Sequence, residues 1–465
     1  MPTLFSCRAP ASLLASARIS TIIVIIFSLA AHLPAQTPSF YKVTGLGTLG
    51  GSESRAHSIN NSGQVAGWSR TPGNTAFHAF RTAPNSKINP ATDDLGTLGG
   101  TSSFAFGINS LGQVVGQSPN AANQSRAFRT APNSAINPAT DNLGTLGGSD
   151  SFARAINDLG QVVGWSSTGT PPFVGPHAFR TAPNSPINPA SDDIGALVAG
   201  PVYSSEANGI NNAGQVVGLS FDGARGRGFR TAPNTAINPA TDNLGTLGGP
   251  NSGAMGINAV GQVVGYANIP STENHGFRTA PNSPINPTTD DLGTFGGTSN
   301  YPQGINAAGQ VVGSAYTDNF EAHAYVYSGS TLYDLHDLIS PGTGWRLWNA
   351  HSINDLGQIV GWGFLNGVEH AFRLDPAPHP VQAINAVISQ VEAPTLGLSN
   401  GEQNALIAQL RNALASFERG KIMVAITQLN VFLNQVTAML RSGRISSSGT
   451  QPLIDAAHAI IKTLT

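Results

Sequence analysis

The sequence predicts an all-β main domain, a seven-bladed β-propeller of four-stranded blades closed by an N-terminal strand, followed by a small C-terminal all-α bundle. Three observations predict it. The stretch Ile59-Asn60-Asn61-Ser62-Gly63-Gln64-Val65-Ala66-Gly67 recurs six more times, with its Asn at Asn60, Asn109, Asn157, Asn211, Asn258, Asn306 and Asn354 and spacings of 47 to 54 residues. A period of that size with strand-like runs inside it is the pattern of a propeller blade. The phase of the repeat suits a closed circle. The first copy opens on Leu46–Gly51 and the last ends on Ala371–Leu374, so an N-terminal strand is left over to complete the final blade. Closing the circle in this way removes exposed sheet edges, whereas an open solenoid would need capping units, and the terminal copies look ordinary. Lastly, glycine nearly disappears after Asp375-Pro376-Ala377-Pro378-His379-Pro380, and the apolar period becomes helical.

Residues 1–36 read as a secretory signal. Arg8 and Arg18 supply positive charge, and Ile19 to Ala31 is an apolar run of 13 residues, too short for a comfortable bilayer span. A signal anchor is the alternative, disfavoured by that length. Ala35 suits the cleavage point, although Leu33 two residues earlier is imperfect. The only cysteine, Cys7, lies inside this segment, so residues 37–465 hold no thiol and no disulfide. Without the signal the chain carries 21 basic and 25 acidic residues, a net charge of −4. Charged residues make up only 10% of the whole sequence and no basic stripe exists, which excludes nucleic acid as a partner.

Residues 37–376 hold the seven copies. In each, two strand-like runs flank an Asn-x-x-Gly turn, as in Ala153 to Ser166, and read as a β-hairpin. The Asn side chain can close a turn on the backbone two residues ahead, and the Gly takes the positive φ that a turn with a bulge requires. A His-Ala-Phe-Arg run follows (His78–Arg81 is the first), then Asp-Leu-Gly-Thr-Leu-Gly-Gly (Asp94–Gly100), giving four short strands per copy. These motifs resemble the bacterial HAF repeat family of predicted extracellular proteins, over roughly residues 40–375. The resemblance implies location and architecture and carries no activity. Copies four and six depart from it, at Ile194–Ala199 and at Asp334–Leu338.

Several repeated residues invite a chemical reading. Arg81, Arg129, Arg180, Arg230 and Arg278 each precede an Asp by twelve or thirteen residues, which suggests cross-strand ion pairs rather than an anion-binding ring. His78, His177, His275, His323 and His370 sit in different copies without metal-ligand spacing, so a strand-end structural role is expected and no metal. No calcium loop, nucleophile elbow, phosphate-binding loop or paired-Cys motif appears, and no cofactor is expected. The Thr82–Pro90 segment and its four counterparts read as long surface loops, either self-packed or forming a repeated binding lip. Trp68, Trp165 and Trp362 occupy one equivalent position, with Tyr266 in copy five. Their aromatic rings could fill the space between blades or stack on sugars. Trp345 and Trp348, outside the repeat pattern, are the foremost candidates for a ligand surface. His57 and His351 fall in the first and last copies, which closure makes neighbours, and mark a second candidate site.

Residues 377–465 read as about four antiparallel helices punctuated by Gly420 and Gly443. Leu429 to Ile461 resembles the helical domain called FIMAH, appended to secreted bacterial proteins, and the resemblance implies no chemistry. The whole is expected to be a secreted, non-enzymatic binding or scaffolding protein at the cell surface, in the periplasm or outside the cell, without stable membrane insertion once the signal is removed. Polysaccharide or another surface protein are the partners that fit. The alternatives are a glycan lyase or hydrolase built on the propeller, which would draw its acids from Glu206, Asp222, Glu273, Asp318 and Glu321, or a purely structural matrix protein.

Overall fold

In each of the seven copies an Asn-x-x-Gly turn joins two antiparallel strands, for instance Ser151–Ile156 and Val162–Ser167. The computed structural model describes residues 40–169, 175–198 and 203–464, so the expected signal at 1–36 lies outside the described residues. The turn chemistry is as expected. Asn157 Oδ1 accepts from the backbone N–H of Leu159 and of Gln161, and Gly160 adopts a φ of 77°. A third strand, Pro176–Arg180 in this copy, pairs with the second. Copies one to five repeat this three-stranded arrangement.

The fourth strand is a correction. The Asp-Leu-Gly segment reaches its neighbour through a single bridge in copies one to five, Phe80 with Asp94 being the first. The cause lies in its side chains. Asp94 Oδ1 accepts from Gly96 N–H, and Thr97 Oγ1 donates to the Gly100 carbonyl, so the backbone is turned by local bonds that compete with a ladder. Among the described residues, full four-stranded pairing occurs in the last two copies. In copy six the hairpin Ala322–Ser328/Thr331–Asp334 replaces the long loop. In copy seven the strand Phe40–Gly47 pairs antiparallel with Val368–Ala377, which brings the start of the array to its end.

Hydrophobic cores lie between copies rather than within them. Ala66 and Ala79 of copy one pack with Ala105, Val114 and Phe128 of copy two. Leu46, Ala56 and Phe80 pack with Val360 and Ala371 of copy seven. The motif asparagines are linked in the same cyclic sense. Asn60 Nδ2 donates to the Asn109 carbonyl, and the pattern continues through Asn157, Asn211, Asn258, Asn306 and Asn354, whose Nδ2 donates back to the Asn60 carbonyl at 3.0 Å. The long loops are part of this joinery. Asn133 Oδ1 accepts from Gln64 Nε2 of the preceding copy, and Ile136 is buried. Those bonds favour the self-packed reading of the loops over a free binding lip.

Four helices follow: α1 (Pro380–Glu392), α2 (Asn400–Glu418), α3 (Ile422–Arg441) and α4 (Ser447–Leu464). Ser399 and Glu402 form a capping box at the start of α2, and Arg444 reaches Glu402 from the turn before α4 at 2.7 Å. Gly420 and Gly443 end α2 and α3 with positive φ, as their positions predict. Helix α3 is long and apolar enough to span a bilayer, yet Ala425, Leu429, Phe432 and Val436 are buried in the bundle. Phe40, from the first strand, belongs to the core of the helices and sits edge-on to Phe417 at 6.2 Å.

Candidate functional site

One position of the motif breaks the pattern in every copy. Three residues before each motif Asn stand His57, Phe106, Arg154, Asn208, Met255, Gln303 and His351. The residue before it is Ala in six copies and Pro in one, and the residue after it is always Ser, Gly or Ala. The strand pairing is irregular at this point in all seven hairpins: Ala56 pairs with Gly67 and Ser58 with Ala66, which leaves His57 unpaired, and the same skip recurs at each counterpart. A β-bulge of this kind frees one residue from the ladder and re-aims its side chain. The opposing glycine is what permits it, since a methyl on Gly164 would sit 1.8 Å from the Phe152 carbonyl oxygen.

All seven bulged residues line one cavity of about 470 Å³. Small neighbours such as Gly107, Gly209 and Gly304 leave the space open, and Glu206, Leu219 and Tyr266 contribute to the same wall. A second cavity, lined by the motif asparagines, shares the ring of Ile residues with the first, so the two are stacked along the copies' common centre.

The cavity is polar where it should be satisfied and is not. The rings of His57 and His351 meet edge to face at 4.4 Å, and the Nε2 of each is buried without a hydrogen-bond partner. Burial, together with His351, Arg55 and Arg154 nearby, pushes His57 well below the usual imidazole pKa. Burial and Arg55 push His351 down to about 4. Both are therefore neutral near pH 7. The Arg154 guanidinium lies 5.1 Å from the Phe106 ring, its Nε is buried and unpartnered, and among the described residues it forms no ion pair. Glu206 likewise has no ion-pair partner among them. His57 and His351, expected as neighbours, are thus in contact. Phe106, Arg154, Asn208, Met255 and Gln303 were not expected, and the signal that finds them is variation in the one column that each bulge turns inward, within a motif whose Asn, Gly and Gln are fixed.

Trp345 and Trp348 do not join this cavity. Trp345 packs edge-on to Phe372 at 5.9 Å and leans on Gly45, as part of the core under the first strand. Trp348 stacks on Trp362 at 6.0 Å. Arg55 covers the other side of the seam, 3.9 Å from Trp362 and 5.2 Å from Trp68, and holds Glu369 with two bonds of 2.6 and 3.0 Å. Arg55 and Trp68 belong to copy one and Trp362 and Glu369 to copy seven, so this half-buried strip fastens first copy to last.

The repeated Arg residues do not take the Asp partners expected for them, whereas repeated His residues do pair with an Asp. Arg129, Arg180 and Arg230 donate to Ser185, Thr235 and Ser283 carbonyls in the loop of the following copy, and the Asp expected to pair with them instead accepts backbone N–H bonds, as Asp141 does from Asn137. The His residues take the second Asp, with His78 Nδ1 to Asp94 at 2.9 Å, His177 to Asp193 at 2.7 Å and His275 to Asp291 at 2.8 Å. In copy six His323, Asp334 and His336 converge within 4.8 Å, a spacing that could hold a metal ion. The hydrogen bonds argue otherwise. Leu347 N–H donates to His336 Nε2 at 2.8 Å, so the proton of this ring sits on Nδ1 and faces Asp334 Oδ1 at 2.8 Å. A metal on Nδ1 would move that proton to Nε2, against the Leu347 N–H. Burial works against the Asp334 carboxylate, but the bonds from His336 and His323 outweigh it and hold its pKa below the usual range.

No protein-family model matches this chain, and no curated protein does. Among solved structures, the BP39L lectin from Burkholderia pseudomallei is similar at 12% identity and a TM-score of 0.35, over 74% of this chain and 98% of the lectin. That degree of likeness fixes neither a ligand nor a blade count here.

Proposed function

We propose that residues 40–377 form a seven-bladed β-propeller of the HAF-repeat type and that the chain is a secreted binding module, with its ligand taken in the cavity at the propeller axis. The cyclic bonds among the seven motif asparagines and the pairing of Phe40–Gly47 with Val368–Ala377 support the ring. The observation that supports binding is the bulged column. Scaffold positions are nearly identical from copy to copy, while the one residue that each bulge turns toward the cavity differs in almost every copy. The seven residues differ in size, polarity and charge yet all line one cavity, which suits recognition of a ligand better than uniform packing. A cleft or cavity of some 300–1,000 Å³ with a few convergent polar groups is the usual form of a small-molecule site. Hydrolysis of a glycosidic bond uses two carboxyl groups across the scissile bond, and of the five acids considered only Glu206 lines the cavity, which favours binding over turnover.

A thermal-shift screen of the full chain against saccharides and small organic acids tests this. A ligand that raises the melting temperature should lose its effect in Phe106→Ala and Gln303→Ala, which face the cavity from different copies, and keep it in Lys87→Ala on an exposed loop. Loss only in Trp348→Ala would move the site to the aromatic seam. A well-folded chain that no compound stabilises would sink the binding reading.

A further inference from the structure

We propose that the axial cavity takes a small sugar acid, its carboxylate held by Arg154 and by the paired histidines His57 and His351. This deepens the binding reading and rests on it. Three features carry it.

The first is an unspent cation. A guanidinium nitrogen shut away from water ordinarily has a partner, because an unpaired polar group there is costly. Arg154 lines the cavity with its Nε buried and unpartnered and with no ion pair among the described residues. The Phe106 ring beside it orients the guanidinium without neutralising it. Arg is the side chain whose planar fork matches a carboxylate with two parallel bonds.

The second is the placing of the histidines. His351, His57, Phe106 and Arg154 come from copies seven, one, two and three, which are consecutive around the cyclic array. They make one continuous arc of the wall. Each imidazole retains a buried Nε2 that no group among the described residues satisfies. Such atoms in a native structure call for a partner, and an arc of one guanidinium and two imidazoles suits an anion.

The third is the opposite wall. Glu206, Gln303 and Tyr266 face the cavity from copies four, six and five. A free carboxylate there excludes an inorganic anion with charge on every side. It suits a molecule that is acidic at one end and hydroxylated at the other, since a carboxylate accepts well from sugar hydroxyls. The apolar faces of Phe106, Leu219 and Met255 complete the lining, as the C–H faces of a pyranose ring require.

The charge arrangement fixes the pH response. The titratable and charged groups facing the imidazole pair are Arg55, Arg154, Glu206 and Tyr266, with Glu369 bound to Arg55. In the free protein the cations and burial keep both imidazoles neutral. A bound carboxylate favours their protonated form, so binding takes up a proton and tightens as pH falls from 7 toward 5.

Isothermal titration of the full chain with D-glucuronate, D-glucose and inorganic sulfate tests the inference. We expect glucuronate to bind at least tenfold more tightly than glucose or sulfate, and more tightly at pH 5.5 than at pH 7. Arg154→Gln should erase the preference over glucose, while Arg154→Lys, which keeps the charge, should retain part of it with unchanged circular dichroism. Glucose bound as tightly as glucuronate, with Phe106→Ala abolishing both, would overturn the acid preference and leave the binding module standing. Glucuronate that fails to bind the folded chain at 10 mM, or binds Arg154→Gln as well as the native protein, overturns the inference outright.

Discussion

A single Asn side chain does four jobs in five of the seven copies, and three in the copies of Asn258 and Asn306. Asn157 Oδ1 accepts from Leu159 and Gln161 N–H, and Nδ2 donates to Gln161 Oε1 and to the Asn211 carbonyl of the next copy. Asn157→Ala strands buried groups on both copies and should cost roughly 2–4 kcal/mol in urea unfolding. Asn157→Asp should cost more, because a carboxylate oxygen would face two acceptor oxygens where an amide now donates. A loss clearly smaller than that of Asn157→Ala would show that the donor half of the amide contributes little. The cavity histidines make a second residue-scale prediction. Their folded pKa values are depressed, His351 to about 4, so the unfolded chain binds protons that the folded chain refuses. This contribution is complete above the unfolded value near 6.5 and is lost as pH falls toward 4. Protonation at His351 alone should remove on the order of 2–3 kcal/mol between pH 7 and pH 4. His351→Asn should flatten the decline, and a profile unchanged by that substitution would refute the assignment.

At the scale of elements, Phe40 is the point where strand and helices share a core. It is 2% exposed, its strand pairs with Val368–Ala377, and its ring packs against His379 and Phe417. Phe40→Ala should lower helical stability by about 3–5 kcal/mol, the usual cost of emptying an aromatic site. The loss should register in the helical circular-dichroism signal before the sheet signal. An unchanged helical transition would mean that the bundle stands alone. The elements differ in how well their sequence announced them. The hairpin turns were legible because Asn and Gly have one job there, and the helices because Leu406, Leu410, Ile426 and Leu429 keep the helical period that buries them. The fourth strand misled. Asp94–Gly100 recurs where a fourth strand of each copy would fall, but its Asp and Thr side chains take the backbone bonds that a ladder would need. The candidate site was half hidden for a related reason. Alternation cannot reveal a bulge. His57 and His351 stand out as extra histidines in the first and last copies, which closure makes neighbours, whereas Phe106, Arg154 and Gln303 share their column without sharing a residue type and so escape notice. The two tryptophans drew notice as non-repeated aromatics, and one fills a core while the other joins a seam.

On the scale of the molecule, stability comes from joints between similar units rather than from a core inside each. Adjacent copies share every hydrophobic cluster of the array, so no copy buries its own apolar face alone. Near-identical units also offer one another wrong partners, the characteristic hazard of repeat proteins as they fold. The pairing of Phe40–Gly47 with Val368–Ala377 gives this hazard a timetable. The ribosome makes the first of these strands roughly 300 residues before its partner, and at roughly 5–20 residues per second the wait is about 15–60 seconds. Throughout that interval the opening strand has bare edges and Phe40 has no helices to cover it. The order of synthesis therefore sets the last event of maturation: six copies can stack as they emerge, but the clasp shuts only when the chain is nearly finished.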